Sequence, residues 1–183
     1  MAGRVKGTLF VDYVRMLRGR KDVDWSKHVP AEDMVYLRYK ILPDEWYPME
    51  VFERFGLAIL QFIAKDDLQA VEAWGRYSVD ELRAVHPDLV VDGHPLESIV
   101  RFQKLRSSLF DFDAIEIVGV RQGEAKIRID YGMGSKAEEA ACHQTLGFFE
   151  RLVEASGSPD CRARFKSRIW AGDASTILLL DWR

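Results

Sequence analysis

The chain has 183 residues, 48% hydrophobic and 30% charged, with a formal net charge of -3. That length and mix describe a globular chain large enough to bury a core without staples, and exclude a disordered one. The near-neutral charge removes whole-molecule attraction to nucleic acid, and no run has the length of an apolar membrane span. Two cysteines, Cys142 and Cys161, are too few for a disulfide scaffold and suit a reducing cytoplasm. The first residues are basic (Arg4, Lys6, Arg15, Arg18, Arg20, Lys21) but lack the apolar core of a signal peptide. The expectation is one cytoplasmic domain over 1–183, helical to about 110 and sheet-forming from about 111.

In chain order, Leu9, Phe10, Tyr13, Val14 and Leu17 recur at three- and four-residue spacings, predicting a helix over 7–20. A short helix with Met34, Leu37 and Ile41 stops at Pro43. Pro48 fits the first turn of a third helix, which is apolar almost all round between Phe55 and Ala64. Two shorter helices follow around Trp74 and Leu82, the second stopping near His86-Pro87, and Pro95 opens another that carries Phe102 and Leu105.

The period then changes. Segments 114–121 and 124–131 read as strands joined by the hairpin turn Gln122-Gly123, a helix spans about 136–156, and two strands close the chain. The fold class is therefore α+β: N-terminal helices packed on a four-stranded antiparallel sheet, with a β-β-α-β-β C-terminal half.

No nucleophile elbow, catalytic triad or carboxylate pair stands out, so a non-enzymatic protein is expected. The histidines are poorly placed for metal: His86 and His94 precede prolines, His28 lies in a polar loop, and His143 diverges by about a hundred degrees from Cys142 on the same helix. Cys142 groups with Leu146, Phe149 and Val153 on the core face, while His143 groups with Glu150 and Glu154 at the rim. The Tyr131-Gly132-Met133-Gly134-Ser135 loop lacks the Lys-Ser/Thr ending of a phosphate loop, and Ser135 with Glu138 reads as a capping box. No cofactor is expected.

Two sets of residues are more suggestive. Trp46, Tyr47, Phe52 and Phe55, with Phe148 and Phe149 from the late helix, are explained by default as core packing, but could line an apolar ligand cavity between helices and sheet. Along the strands, alternation puts Lys126, Arg128, Arg162, Arg164, Lys166 and Arg168 on the side away from the core, offset mainly by Glu124 and Asp130. Like charges along one strand repel, so this face is expected to dock an acidic protein. The basic face carries no aromatic side chain to stack bases, which argues against nucleic acid.

Three motifs carry a resemblance: Val5-Lys6-Gly7, Leu42-Pro43-Asp44-Glu45-Trp46-Tyr47-Pro48, and the ending Trp170-Ala171-Gly172-Asp173 through Leu180-Asp181-Trp182. They resemble an uncharacterised myxobacterial paralogous family. Its second half is similar to the superfamily of haem nitric-oxide-binding domains, four-vinyl-reductase-type sensor domains and TRAPP subunits. The shared pattern is a helix carrying Gly147-Phe148 and ending near Gly157, then two strands with a Gly-Asp turn. The resemblance implies an intracellular small-molecule-sensing or protein-docking module that forms a homodimer, with a ligand-free adaptor as the alternative. The chain departs from the haem branch, which uses a proximal histidine and a Tyr-x-Ser-x-Arg motif: the region from Phe102 to Phe110 has no histidine, and no such motif occurs. Thr176 stands where many sensor-type members carry cysteine.

Overall fold

The computed structural model describes residues 3–183. The chain divides into two compact units, the first formed by the residues up to 66 with 107–112, the second by 67–106 with 113–183.

In the first unit, β1 (Arg4–Lys6) runs antiparallel to β2 (Trp46–Pro48), with Val5 opposite Tyr47. Helix α1 (Gly7–Gly19) follows β1 directly and buries Phe10, Val14 and Leu17. Its first turn lies against the segment before β2: the N–H groups of Gly7 and Thr8 donate to the carbonyls of Glu45 and Pro43 at 2.8 and 3.1 Å, satisfying donors that a helix start leaves without internal partners. Only glycine fits there, because a Cβ on Gly7 would sit 2.0 Å from the Leu42 carbonyl oxygen. Two of the quoted motifs, Val5-Lys6-Gly7 and Leu42 to Pro48, thus form one structural feature.

Helix α2 (Met34–Arg38) ends earlier than its periodicity suggests, where the Arg18 guanidinium donates to the carbonyls of Tyr36, Leu37 and Tyr39. Helix α3 (Met49–Phe62) buries Phe52, Phe55, Ala58, Ile59 and Leu60, and Pro48 is its N-cap. Asp33, 2% exposed, is forked by Arg54 from α3 at 2.5 and 2.8 Å. A buried carboxylate is tolerable only with such pairing.

In the second unit, α4 (Leu68–Val85) is one continuous helix where the sequence suggests two. Gly75 near its middle does not break it; the glycine is there for packing against the late helix, as described below. Next come α5 (Pro95–Leu105), β3 (Ile115–Arg121), β4 (Glu124–Ile129), α6 (Ser135–Ala155), β5 (Arg162–Ser167) and β6 (Thr176–Asp181). The sheet order is β3-β4-β6-β5 with every neighbouring pair antiparallel. Gly123, at φ +84°, turns the β3–β4 hairpin, as its position in the sequence implies. The fold is α+β with a four-stranded antiparallel sheet, as expected.

One face of that sheet is core. Ala125, Ile127, Ile129, Leu178 and Leu180 are buried, α6 packs on β5 and β6, and α5 packs on β3. The period-2 pattern of β4 (Glu124, Lys126, Arg128 out; Ala125, Ile127, Ile129 in) fixes its register, since a one-residue slip would bury three charges. Among the described residues, no helix is long and apolar enough to cross a membrane.

Candidate functional site

The opposite face of the sheet is open to solvent, and its residues form rows across the strands. One row reads Lys126, Leu179, Arg164 on β4, β6 and β5. The row above it pairs Arg128 with Ile177, with Lys166 at the register irregularity between Phe165 and Ser167; the row below reads Glu124, Asp181, Arg162. Lys126, Arg128, Arg162, Arg164 and Lys166 are all exposed, whereas Ile177 and Leu179 between them are half-buried. The structure therefore brings together five of the six expected cations. Arg168 is also exposed, but it lies past β5 and beyond the irregularity, so the alternation that groups the others does not extend to it.

Charge on this face is only partly offset. Arg128 is held by Glu116 on β3, its Nε donating at 2.8 Å, and Arg164 lies 3.6 Å from Asp181. Glu124 is taken by Arg121 at 2.7 Å. Among the described residues, Lys126, Arg162 and Lys166 have no carboxylate partner. The central apolar stripe is the part sequence reasoning missed. Thr176 to Asp181 reads as a nearly unbroken apolar run, which hides that Ile177 and Leu179 point away from the core.

The six expected ligand-binding aromatics fall in two sets, one in each unit. In the first, Phe10 stacks on Tyr47 and Phe55 with ring centroids at 4.8 and 5.5 Å, and Tyr13 stacks on Phe52 at 4.1 Å. Trp46 is half-buried beneath the cations of Lys6 and Arg4, at 4.7 and 5.7 Å from its ring. The Leu42 N–H donates to the Tyr47 hydroxyl at 2.9 Å. In the second unit, Phe148 and Phe149 pack on each other and on Phe102 of α5 at 5.1 and 5.0 Å. Each set is satisfied by ring contacts within its own unit.

The loop from Tyr131 to Ser135 is occupied by the chain itself. Glu138, 2% exposed, accepts the N–H groups of Tyr131 and Met133 at 2.9 and 3.0 Å. Gly134, not Ser135, is the helix N-cap and no side-chain cap bond forms there; Glu138 reaches back to Tyr131 and Met133 instead, which corrects the capping-box reading of Ser135 and Glu138. The Tyr131 hydroxyl bonds Thr145 at 2.6 Å. Burial holds the Glu138 carboxyl above its ordinary range, against the two N–H donors that pull it down. Cys142, fully buried beside it, is raised further, first by burial and then by the Glu138 charge.

His143 differs from its expected exposed rim position. Its Nδ1 lies 2.6 Å from Glu72 of α4, and its ring packs against Phe165 and Trp170. Glu150 and Glu154, expected beside it, are both held by Arg76. Cys161 is pushed up to about 12 by burial, with Glu150 and Glu154 adding to the rise. Among the described residues, no three histidine, cysteine or acidic side chains are grouped to hold a metal ion.

The arrangement defines a class: a helix-and-sheet protein whose sheet carries α6 on one face and a basic, apolar-striped surface on the other. Comparison with solved structures identifies the same fold in H-NOX domains. An H-NOX protein from S. oneidensis in the Fe(II)NO state superposes with a TM-score of 0.65 at 12% identity, over 97% of this chain and 99% of that one. An oxygen-binding H-NOX domain related to soluble guanylate cyclases, in its oxygen complex, gives 0.63 and 12% over 97% and 95%. A protein solved to study haem redox potential and porphyrin distortion gives 0.62 and 12% over 97% and 95%. The likeness runs through both units, not only the second half to which the sequence resemblance pointed. No protein-family model matches the sequence, and no curated protein matches it either.

The H-NOX fold implies haem, and the residues present do not fit it. Helix α5 offers Phe102, 2% exposed and packed on Phe148 and Phe149, with no histidine along it. His86 and His94 are the caps where α4 ends and α5 begins. His28 lies exposed against Phe62, and His143 is engaged by Glu72. The Tyr131 hydroxyl and the loop N–H groups are likewise spent on Thr145 and Glu138. The groups that the haem branch uses are therefore missing from α5 or already engaged in the loop after β4.

Proposed function

We propose that the protein is a non-enzymatic regulatory module with the H-NOX fold that works without iron and delivers its output by contact with an acidic protein. The observation that carries this reading is the open face of the sheet: five exposed cations on two strands, three of them without a carboxylate partner among the described residues. An acidic surface docked there relieves their mutual repulsion, and its binding weakens as salt rises. The ligand class is a small apolar molecule; Trp46, Tyr47, Phe52 and Phe55 in the first unit, and separately Phe148 and Phe149 in the second, are the candidate contacts, and the large aromatic surface within each unit supports it.

Native mass spectrometry of freshly purified protein tests the reading in one experiment. The expected spectrum shows no haem or metal, a co-purifying organic ligand, and a homodimer. A metal-bearing spectrum removes the iron-free premise. An unliganded mass that stays unchanged after incubation with cell-extract lipids and metabolites favours the second reading, an adaptor that acts through protein contact alone. Ring packing within each unit is what supports that alternative.

A further inference from the structure

The open sheet face has a shape as well as a charge. Its cations stand in two rails, Lys126 and Arg128 on β4 and Arg164 and Lys166 on β5, separated by β6. Two strand spacings put the rails about 10 Å apart. That is close to the roughly 10 Å width of an α-helix with its side chains. Between the rails, Ile177 and Leu179 are two residues apart on β6, about 7 Å along the strand. Slightly more than one helical turn, i to i+4, rises about 6 Å. Lysine and arginine carry long apolar stems below their charged heads, so the rails can flank this pair with hydrocarbon as well as with charge.

Because β6 is an interior strand, its backbone is already paired on both sides and cannot accept another strand. An occupant must therefore bind by side chains, which is the helix-in-groove mode. We infer that the occupant is an amphipathic helix of the partner protein, an apolar stripe flanked on both sides by acidic residues, laid along β6. The inference rests on the protein-contact reading above and adds the form of the partner. An anionic membrane fits less well, since Ile177 and Leu179 are half-buried and this face offers no exposed large apolar side chain on β6 to enter a bilayer.

The test uses the full chain and a fluorescent synthetic peptide of about eighteen residues, some five helical turns, with leucines at i, i+4 and i+7 spacings and glutamates on both flanks. A scrambled peptide of the same composition and phosphatidylserine vesicles serve as comparisons. The expected result is binding of the ordered peptide roughly tenfold tighter than the scrambled one, a difference of about 1.4 kcal/mol. Lys126→Glu with Lys166→Glu, one exposed cation from each rail, should abolish it while the circular dichroism spectrum is unchanged. Leu179→Ser should weaken the ordered peptide several-fold without changing the salt dependence.

Equal binding of the scrambled peptide overturns the helix and leaves an acidic protein contact standing. Preference for vesicles over both peptides overturns both readings. Ordered-peptide binding that survives the double charge reversal places its site elsewhere and also overturns the inference. If Leu179→Ser loses its fold, Ile177→Ala replaces it, and ordered-peptide affinity unchanged in that variant contradicts the stripe.

Discussion

Gly75 of α4 and Gly147 of α6 lie where the two helices bring their backbones together. A Cβ on Gly75 would sit 1.8 Å from the Gln144 carbonyl oxygen, and one on Gly147 would sit 2.1 Å from that of Glu72. The approach is reciprocal, so each helix supplies the gap the other needs. It also places Glu72 within reach of His143 and Arg76 within reach of Glu150 and Glu154.

Gly147→Ala and Gly75→Ala should each destabilise the protein by about 3 kcal/mol, because the helices must separate to admit a methyl group. At this chain length that lowers Tm by roughly 6–12 °C. Gly19→Ala is the control: its Cβ meets nothing within 4 Å, and the change should be neutral or stabilising by up to about 1 kcal/mol. Thermal melts of the three variants check the contrast, and equal melting temperatures would refute the close packing.

The fold was largely legible in the sequence, and the departures have local causes. Periodicity placed five helices and four strands because their apolar spacing is regular, as in β4 and α6. It read α4 as two shorter helices around Trp74 and Leu82; the packing partner of Gly75, Gly147, is seventy-two residues away (147 minus 75), so the contact that runs along the continuous helix is invisible locally. The β1–β2 ribbon escaped notice because three-residue strands carry no period. At the candidate site the cations were legible by alternation, but the stripe they flank was not, since Ile177 and Leu179 look like core in an apolar run. The engagement of Glu138 with the Tyr131 loop depends on tertiary geometry that no residue spacing reveals.

Glu138→Ala should cost about 3 kcal/mol by leaving the buried N–H of Tyr131 and the part-buried N–H of Met133 without an acceptor. The penalty should depend on pH. Burial raises the folded-state carboxyl above its unfolded value, so the folded state holds the proton more tightly. The stability Glu138 contributes is therefore full below the ordinary carboxylate range and declines as pH rises through the raised value. Urea unfolding of wild type and variant near pH 4 and near pH 8 should show the smaller difference at pH 8; a larger one at pH 8 would reverse the assigned sign.

Both thiols should react slowly in the native state. Cys142 is fully buried, and Cys161, though half-buried, is pushed up to about 12, so little thiolate exists at neutral pH. Labelling with a chromogenic disulfide reagent is expected to accelerate by orders of magnitude in denaturant for Cys142 and by less for Cys161. A native Cys142 that labels at its denatured rate would mean that α6 does not present it to the core.

The proposed function requires that this chain, with the fold of H-NOX domains, binds no haem. Titrating purified protein with hemin, oxidised and then dithionite-reduced under nitric oxide, tests it most directly. The expected spectrum shows only the broad absorption of loosely associated hemin, with no stoichiometric Soret band and no shift on adding the gas. A sharp one-to-one complex that is abolished by His143→Ala, or by alanine at His28, His86 or His94, would contradict it.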